Sequence, residues 1–151
     1  MSQWPIISAQ TAIDVTTAQA RAWFLSLKDH PERYRFATHE GFQFVQGDFA
    51  QVGARFATRE RFYGLRLELL FELIGVEETA FRFRLIRPAW LHVWGAFIVQ
   101  ELTPESISLR LDIGAAGRLG RLLLRFFPLA VAIRRQIAQE VTHIKVSMEG
   151  V

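Results

Sequence analysis

Glu60 stands in an alternating run, Arg55 to Phe62, in which Phe56, Thr58, Glu60 and Phe62 share one parity while Arg55 and Arg59 take the other. If the run is a strand, the carboxylate lies on its apolar face. An unpaired carboxylate is expensive there, so it must be partnered, protonated or wetted by a cavity. Glu60 is therefore a candidate for orienting a ligand through hydrogen bonds, or for acid–base work at a raised pKa. The plainer reading pairs it with an Arg at a sheet edge or slips the register by one residue. His92, Trp94 and Gln100 share a face if Thr103–Ser106 is a hairpin turn, which makes His92 the second acid–base candidate. A strand histidine is also commonly just a satisfied polar residue. Glu140 lies beside the apolar stripe of a C-terminal helical pattern, in a polar flank with Gln136, His143 and Ser147. It can reach a cavity mouth, or be solvated or paired with a neighbouring Arg.

Other chemistries find little footing. Without cysteine there is no disulfide, no thiolate metal site and no thiol nucleophile. His30 and Glu32, or His39 and Glu40, are near one another in sequence, but neither pair has an i, i+4 ligand spacing or a third ligand, so no metal site is expected. Gly114, Gly117 and Gly120 lack the Lys-Ser/Thr of a phosphate loop, and no Ser occupies a G-x-S-x-G nucleophile position. No cofactor is expected.

The elements that must position these groups are legible in the pattern. A chain of 151 residues, 50% apolar and 22% charged, is one globular domain, residues 1–151. Ile6 to Val15 reads as an opening strand rather than an export signal, and the longest uncharged stretch, the 13 residues Pro88–Gln100, is too short to span a bilayer. A cytoplasmic protein is the expectation. Thr16-Thr17-Ala18-Gln19 has the spacing of a capping box, and Ala20, Trp23, Phe24 and Leu27 then mark one face of a helix. Asp29-His30-Pro31 ends it and starts a second short helix.

From Phe42 the period falls to two for about seventy residues. A turn at Tyr63-Gly64 pairs Phe62 with Leu65, Glu60 with Leu67, Thr58 with Leu69 and Phe56 with Phe71 on one face. On the other, Arg59 meets Glu68 and Arg55 meets Glu72, so the sheet has a dry side and a wet side. Phe81, Phe83 and Leu85 continue the dry face, as do Ile107, Leu109, Leu111 and Ile113 after a strand Leu91–Leu102. Gly117 and Gly120 bracket a loop. Pro128 then opens a long helix to about Ser147 with a dry stripe of Ile133, Ile137, Val141, Ile144 and Met148.

Charge is uneven. Gly114 to Arg135 holds Arg118, Arg121, Arg125, Arg134 and Arg135 with no acid, so one segment supplies the whole excess of a chain whose net charge is +3. The same segment is strongly apolar, with Leu122, Leu123, Leu124, Phe126 and Phe127. Solvated faces explain this plainly. The sharper reading is a guard over a cavity that meets an anionic membrane through Arg118, Arg121 and Arg125. No nucleic-acid motif accompanies the charge, so no nucleic-acid partner is expected.

The residues Ile13-Asp14-Val15, Ala20, Trp23-Phe24 and Asp29-His30-Pro31-Glu32-Arg33-Tyr34, then Glu40-Gly41, Val52-Gly53-Ala54-Arg55-Phe56 and Glu140 to Lys145, resemble the START-like or SRPBCC superfamily. That superfamily includes polyketide cyclase/dehydrase-like and birch-pollen-allergen-like proteins. The resemblance covers nearly the whole chain through short, degenerate motifs. It implies an α+β helix-grip fold, in which a curved antiparallel sheet of about seven strands wraps a long C-terminal helix and two short helices follow the first strand. It also implies an apolar cavity, and carries over no catalytic residue.

Together these readings predict a cavity of ~300 Å³ or more for an apolar or amphipathic small molecule such as a lipid, isoprenoid, quinone or aromatic polyketide. The expected lining from the hairpin is Phe56, Thr58, Glu60, Phe62, Leu67, Leu69 and Phe71. The following strands add Phe83, His92, Trp94, Ile98 and Gln100, and the long helix adds Ile137 and Glu140. The alternative is a polyketide cyclase- or dehydratase-like enzyme in which Glu60 and His92 exchange protons with a substrate. A third reading fills the cavity with the protein's own side chains and leaves an interaction domain.

Overall fold

The computed structural model describes residues 6–36, 39–62 and 64–150, without the side chains of Phe62 and Phe127. Tyr63 of the expected turn and the Phe62 side chain therefore lie outside the described residues.

Strand β1 (Ile6–Ile13) leads into α1 (Thr17–Ser26), a one-turn 3-10 helix at Pro31–Tyr34, and β2 (His39–Gln46). A meander follows: β3 (Arg55–Phe62), β4 (Leu65–Val76), β5 (Ala80–Arg87), β6 (Val93–Thr103) and β7 (Ser106–Ala115). The chain closes with α2 (Arg118–Arg125) and α3 (Phe127–Glu149). All seven strands form one antiparallel sheet in the order β1-β7-β6-β5-β4-β3-β2. The two short helices after β1 thus carry the chain from one sheet edge to the other. The sheet curls around α3, a helix-grip arrangement.

Local signals explain the elements. The Thr16 hydroxyl accepts from the Gln19 amide, and the Gln19 side chain accepts from the Thr16 amide, closing the capping box. Ala20, Trp23, Phe24 and Leu27 are buried, and Phe24 meets Phe49, Phe81 and Phe97 at centroid separations of 4.9–5.5 Å. The β3–β4 register pairs the residues as expected, from Arg55 opposite Glu72 to Phe62 opposite Leu65. On its wet face Arg55 and Arg84 both reach Glu72, at 3.3 and 2.8 Å. Gly64 supplies the left-handed backbone (φ 77°) at the end of that turn. Ile137, Val141, Ile144 and Met148 form the buried stripe of α3, which Trp23 and Lys145 also hold, by hydrogen bonds to Ser147 and to the Ala12 carbonyl.

Two elements differ from expectation. Gly117–Gly120 is not a loop: Gly117 precedes α2, and Gly120 is buried inside it, where a Cβ would lie 2.4 Å from the Leu91 carbonyl oxygen. The missing side chain lets the helix dock on the 3-10 turn Ala89–Leu91, which replaces the expected start of the sixth strand.

The second difference flips a whole strand. A two-residue turn at Pro104-Glu105 would place even-numbered β6 residues opposite the buried Ile107, Leu109 and Leu111. A bulge between Glu101 and Thr103 adds one residue, so Glu101, Val99 and Phe97 take those positions. Gly95, Phe97 and Val99 therefore face the core, while Trp94, Ile98 and Gln100 face away from it. Trp94 covers Gly114, its cross-strand partner, whose Cβ would stand 2.4 Å from the indole.

Candidate functional site

Between the sheet and the two C-terminal helices lies a cavity of about 300 Å³. Its wall is almost wholly apolar. The sheet supplies Phe42, Phe56, Phe71, Phe83, Phe97 and Leu111, α3 supplies Leu129, Ile133 and Ile137, and α2 supplies Leu123 and Leu124. Exposed Leu67 and half-buried Leu69, Leu123 and Leu129 mark where it reaches the surface. Among the described residues, no Lys or Arg lines it. Its hydrogen-bonding side chains are Tyr34, His39, Thr58, Glu60, Gln136 and Glu140.

These groups come from four elements. Tyr34 ends the 3-10 helix, His39 opens β2, Thr58 and Glu60 share one face of β3, and Gln136 and Glu140 are one turn apart on α3. The Tyr34 hydroxyl donates to Glu140 Oε1 at 3.1 Å. Glu60 accepts from Thr58 Oγ1 at 3.2 Å and from Gln136 Nε2 at 3.4 Å. His39 Nε2 stands 3.6 Å from Glu140 Oε1, and one ligating atom each of His39, Glu60 and Glu140 falls within 4.8 Å of the others. The opposite ring nitrogen, His39 Nδ1, lies 2.8 Å from the Tyr34 carbonyl. A carbonyl only accepts, so Nδ1 carries the proton and the neutral ring turns its Nε2 lone pair toward the carboxylates. Tyr34 and Phe36 flank the imidazole, with centroids at 4.6 and 5.4 Å.

The electrostatics follow from burial without a cation. Desolvation raises the pKa of Glu60 against the opposing hydrogen bonds from Thr58 and Gln136. Glu140 is held well above the ordinary carboxylate range by desolvation and then by the nearby Glu60 charge, with Tyr34 opposing. The Tyr34 phenol is pushed up by burial and by both carboxylates. His39 is lowered to about 4, chiefly by burial, and is neutral at physiological pH. Burial and mutual repulsion thus favour the protonated form of each carboxyl, while the Tyr34 hydroxyl and the Thr58 and Gln136 side chains supply donors.

Of the sequence-derived lining residues, Phe56, Thr58, Glu60, Leu67, Leu69, Phe71, Phe83, Ile137 and Glu140 border the cavity. His92, Trp94, Ile98 and Gln100 do not. The β6 bulge turns the last three outward, and His92 is an exposed left-handed residue (φ 49°) closing the 3-10 turn before β6. Tyr34, His39 and Gln136 are polar cavity residues that the sequence pattern did not assign. For His39 the reason is a second bulge. The inward parity of Phe42 would place Glu40 inside, but β2 pairs His39 with Glu60 and Gly41 with Arg59, so Glu40 is extruded to Arg61 (2.8 Å) and Arg66 (3.5 Å). Adjacency of His39 and Glu40 thus concealed the partners that the fold provides.

The same architecture recurs in solved structures. The KanY protein matches with a TM-score of 0.78 at 13% identity, over 99% of this chain and 100% of its own. An aromatase/cyclase, Zhui, from a Streptomyces species matches at 0.70 and 12%, over 97% and 94%. A START superfamily protein from Mycobacterium smegmatis matches at 0.63 and 11%, over 96% and 94%. The chain has the START-like, helix-grip fold. Identities this low establish the START-like fold alone. No family model and no curated protein sequence matches the chain. Among the described residues of this START-like chain, no helix is long and apolar enough to cross a membrane.

Proposed function

We propose that this START-like protein binds or transports an apolar or amphipathic small molecule, such as a lipid, isoprenoid, quinone or aromatic polyketide, whose polar end sits against Tyr34, Glu60 and Glu140. One observation carries the reading: an apolar cavity of about 300 Å³ that gathers its hydrogen-bonding side chains around two carboxyl groups, buried Glu140 and half-buried Glu60. Phe42, Phe56, Phe71, Phe83 and Phe97 give it rigid, flat walls suited to isoprenoid, quinone or aromatic bodies. Helix α2 would guard the entrance. Leu123 and Leu124 face the cavity, while Leu122 and Phe126 remain 65% and 59% exposed rather than closing the core. Beside them Arg118 and Arg125 are exposed and Arg121 half-buried, an arrangement that would let the entrance rest on an anionic membrane.

A second reading is a cyclase- or dehydratase-like enzyme. It is favoured by the Tyr34–Glu140–Glu60 juxtaposition and by the likeness to an aromatase/cyclase. With His92 outside the cavity, proton exchange would fall to these three groups. Native mass spectrometry of freshly purified protein tests the binding reading. A retained small molecule, lost when the cavity is filled by Phe83→Trp or Ile137→Phe, is expected. Protein that is empty and fails to take up any of a panel of isoprenoid, quinone and aromatic probes would refute it.

A further inference from the structure

We propose that His39, Glu60 and Glu140 form a binding site for one divalent transition-metal ion at the buried end of the cavity. The ligand set is one imidazole nitrogen and two carboxylate oxygens, a mixture suited to Zn²⁺, Co²⁺, Mn²⁺ or Fe²⁺. The geometry is already close. His39 Nε2 and Glu140 Oε1 are 3.6 Å apart, and two ligands each ~2.1 Å from a tetrahedral ion stand ~3.4 Å apart. The third atom lies within 4.8 Å of both, so a small side-chain adjustment closes the set.

Two further observations point to a cation rather than to an accidental acidic pair. First, the imidazole is 2% exposed and aims its Nε2 lone pair at an acceptor, beyond hydrogen-bonding distance, with the tautomer fixed by the Tyr34 carbonyl. Secondly, each ligand has an outer partner that fixes it. Tyr34 O holds His39, Tyr34 Oη holds Glu140, and Thr58 with Gln136 holds Glu60. Metal ligands are characteristically held in this way, because the outer hydrogen bond sets both the orientation and the basicity of the donor. Among the described residues no Lys or Arg enters the cavity to balance the two carboxylates, and a doubly charged ion would balance both at once. The open side of such an ion would face the apolar cavity, where an oxygen of a bound molecule could complete its coordination. The proposal holds whether or not an organic molecule enters.

The test uses full-length protein dialysed against a chelator. Added Co²⁺ should develop ligand-field absorption bands, and Zn²⁺ should titrate calorimetrically to one equivalent and raise the melting temperature. Glu140→Gln, Glu60→Gln and His39→Gln should each weaken Zn²⁺ at least ~10-fold, and Tyr34→Phe, which keeps all three ligands, by ~10–100-fold. His30→Gln, which removes an exposed imidazole 3.3 Å from Glu32, should change nothing. If a ligand variant fails to fold, Tyr34→Phe decides. Failure of the wild-type protein to bind any of the four ions overturns the site. So does binding that survives Tyr34→Phe and Glu140→Gln but is lost in His30→Gln. Neither result would touch the binding of an apolar molecule, which is read separately by mass spectrometry.

Discussion

His39 stands opposite Glu60 across the β2–β3 ladder because one extra residue, Glu40, is bulged out between His39 and Gly41. The bulge sends two consecutive side chains into different worlds. His39 is sealed between Tyr34 and Phe36, and Glu40 meets two arginines at the surface. Neighbouring substitutions should therefore differ sharply. Glu40→Ala removes partly exposed ion pairs and should cost less than ~1 kcal/mol. His39→Ala strips the Tyr34 carbonyl of its donor and empties a packed position, and should cost ~1–3 kcal/mol. Urea denaturation of both variants checks the order, and a reversed order would show that the bulge is misplaced.

The two raised carboxyls should cost the metal-free protein stability as pH rises from the ordinary carboxylate value of about 4.3 through their folded-state values. Glu60 and Glu140 have raised pKa values, so the folded state holds more protons than the unfolded one between the ordinary carboxylate range and the folded pKa. Stability then decreases with pH across that window. His39, lowered to about 4, works in the opposite direction, but only between about 4 and 6.5. Glu140→Gln removes one member of the pair and should flatten the decline in melting temperature with rising pH. An equally steep decline in the variant would mean that the two carboxyls titrate normally.

Much of this was legible in the sequence, and the gaps share a cause. The capping box, the β3–β4 register, the inward Glu60 and the stripe on α3 follow from periodicity and turn length, because nothing interrupts the alternation. His39 and Trp94 were unreadable by the same logic. Each lies beyond a single-residue bulge from the residues that set its parity, and a one-residue slip sends every side chain to the other face. Gln136 was visible as part of a polar flank, but its approach to Glu60 depends on the curl of the sheet around α3.

Gly95 makes room for one wall of the cavity. A Cβ there would lie 2.4 Å from Cε2 of Phe83, its cross-strand neighbour, and 3.1 Å from the Asp112 carbonyl oxygen. The ring would have to move, and Phe83 borders the cavity. Gly95→Ala should destabilise the fold by ~1–3 kcal/mol through overpacking and weaken capture of bulky aromatic probes. Unchanged stability with unchanged probe binding would show that Phe83 has slack the packing does not suggest.

Helix α2 carries the prediction of a membrane contact. Arg118, Arg121 and Arg125 occupy one side of the helix, exposed Leu119 and Leu122 the adjacent side, and buried Gly120 and Leu124 the side turned to the cavity. Phe126 and Trp90, on the turn packed against α2, are exposed as well. Each near-surface cation contributes roughly 1 kcal/mol toward anionic lipid, and the exposed apolar side chains add burial once the helix reaches the interface. Binding should therefore be strong at low salt and weaken as screening shortens to ~8–10 Å at ordinary ionic strength. In co-sedimentation with phosphatidylserine-containing vesicles, the wild-type protein should pellet at low salt. A triple Arg118, Arg121 and Arg125 to Gln variant should stay in the supernatant, and neither should bind neutral phosphatidylcholine vesicles. Leu122→Ser with Phe126→Ser should reduce binding that persists at higher salt, since it removes the apolar part and leaves the charges. Equal, negligible pelleting of wild-type and triple variant would leave the arginines as a solvated face, and the cavity would then have to fill from solution.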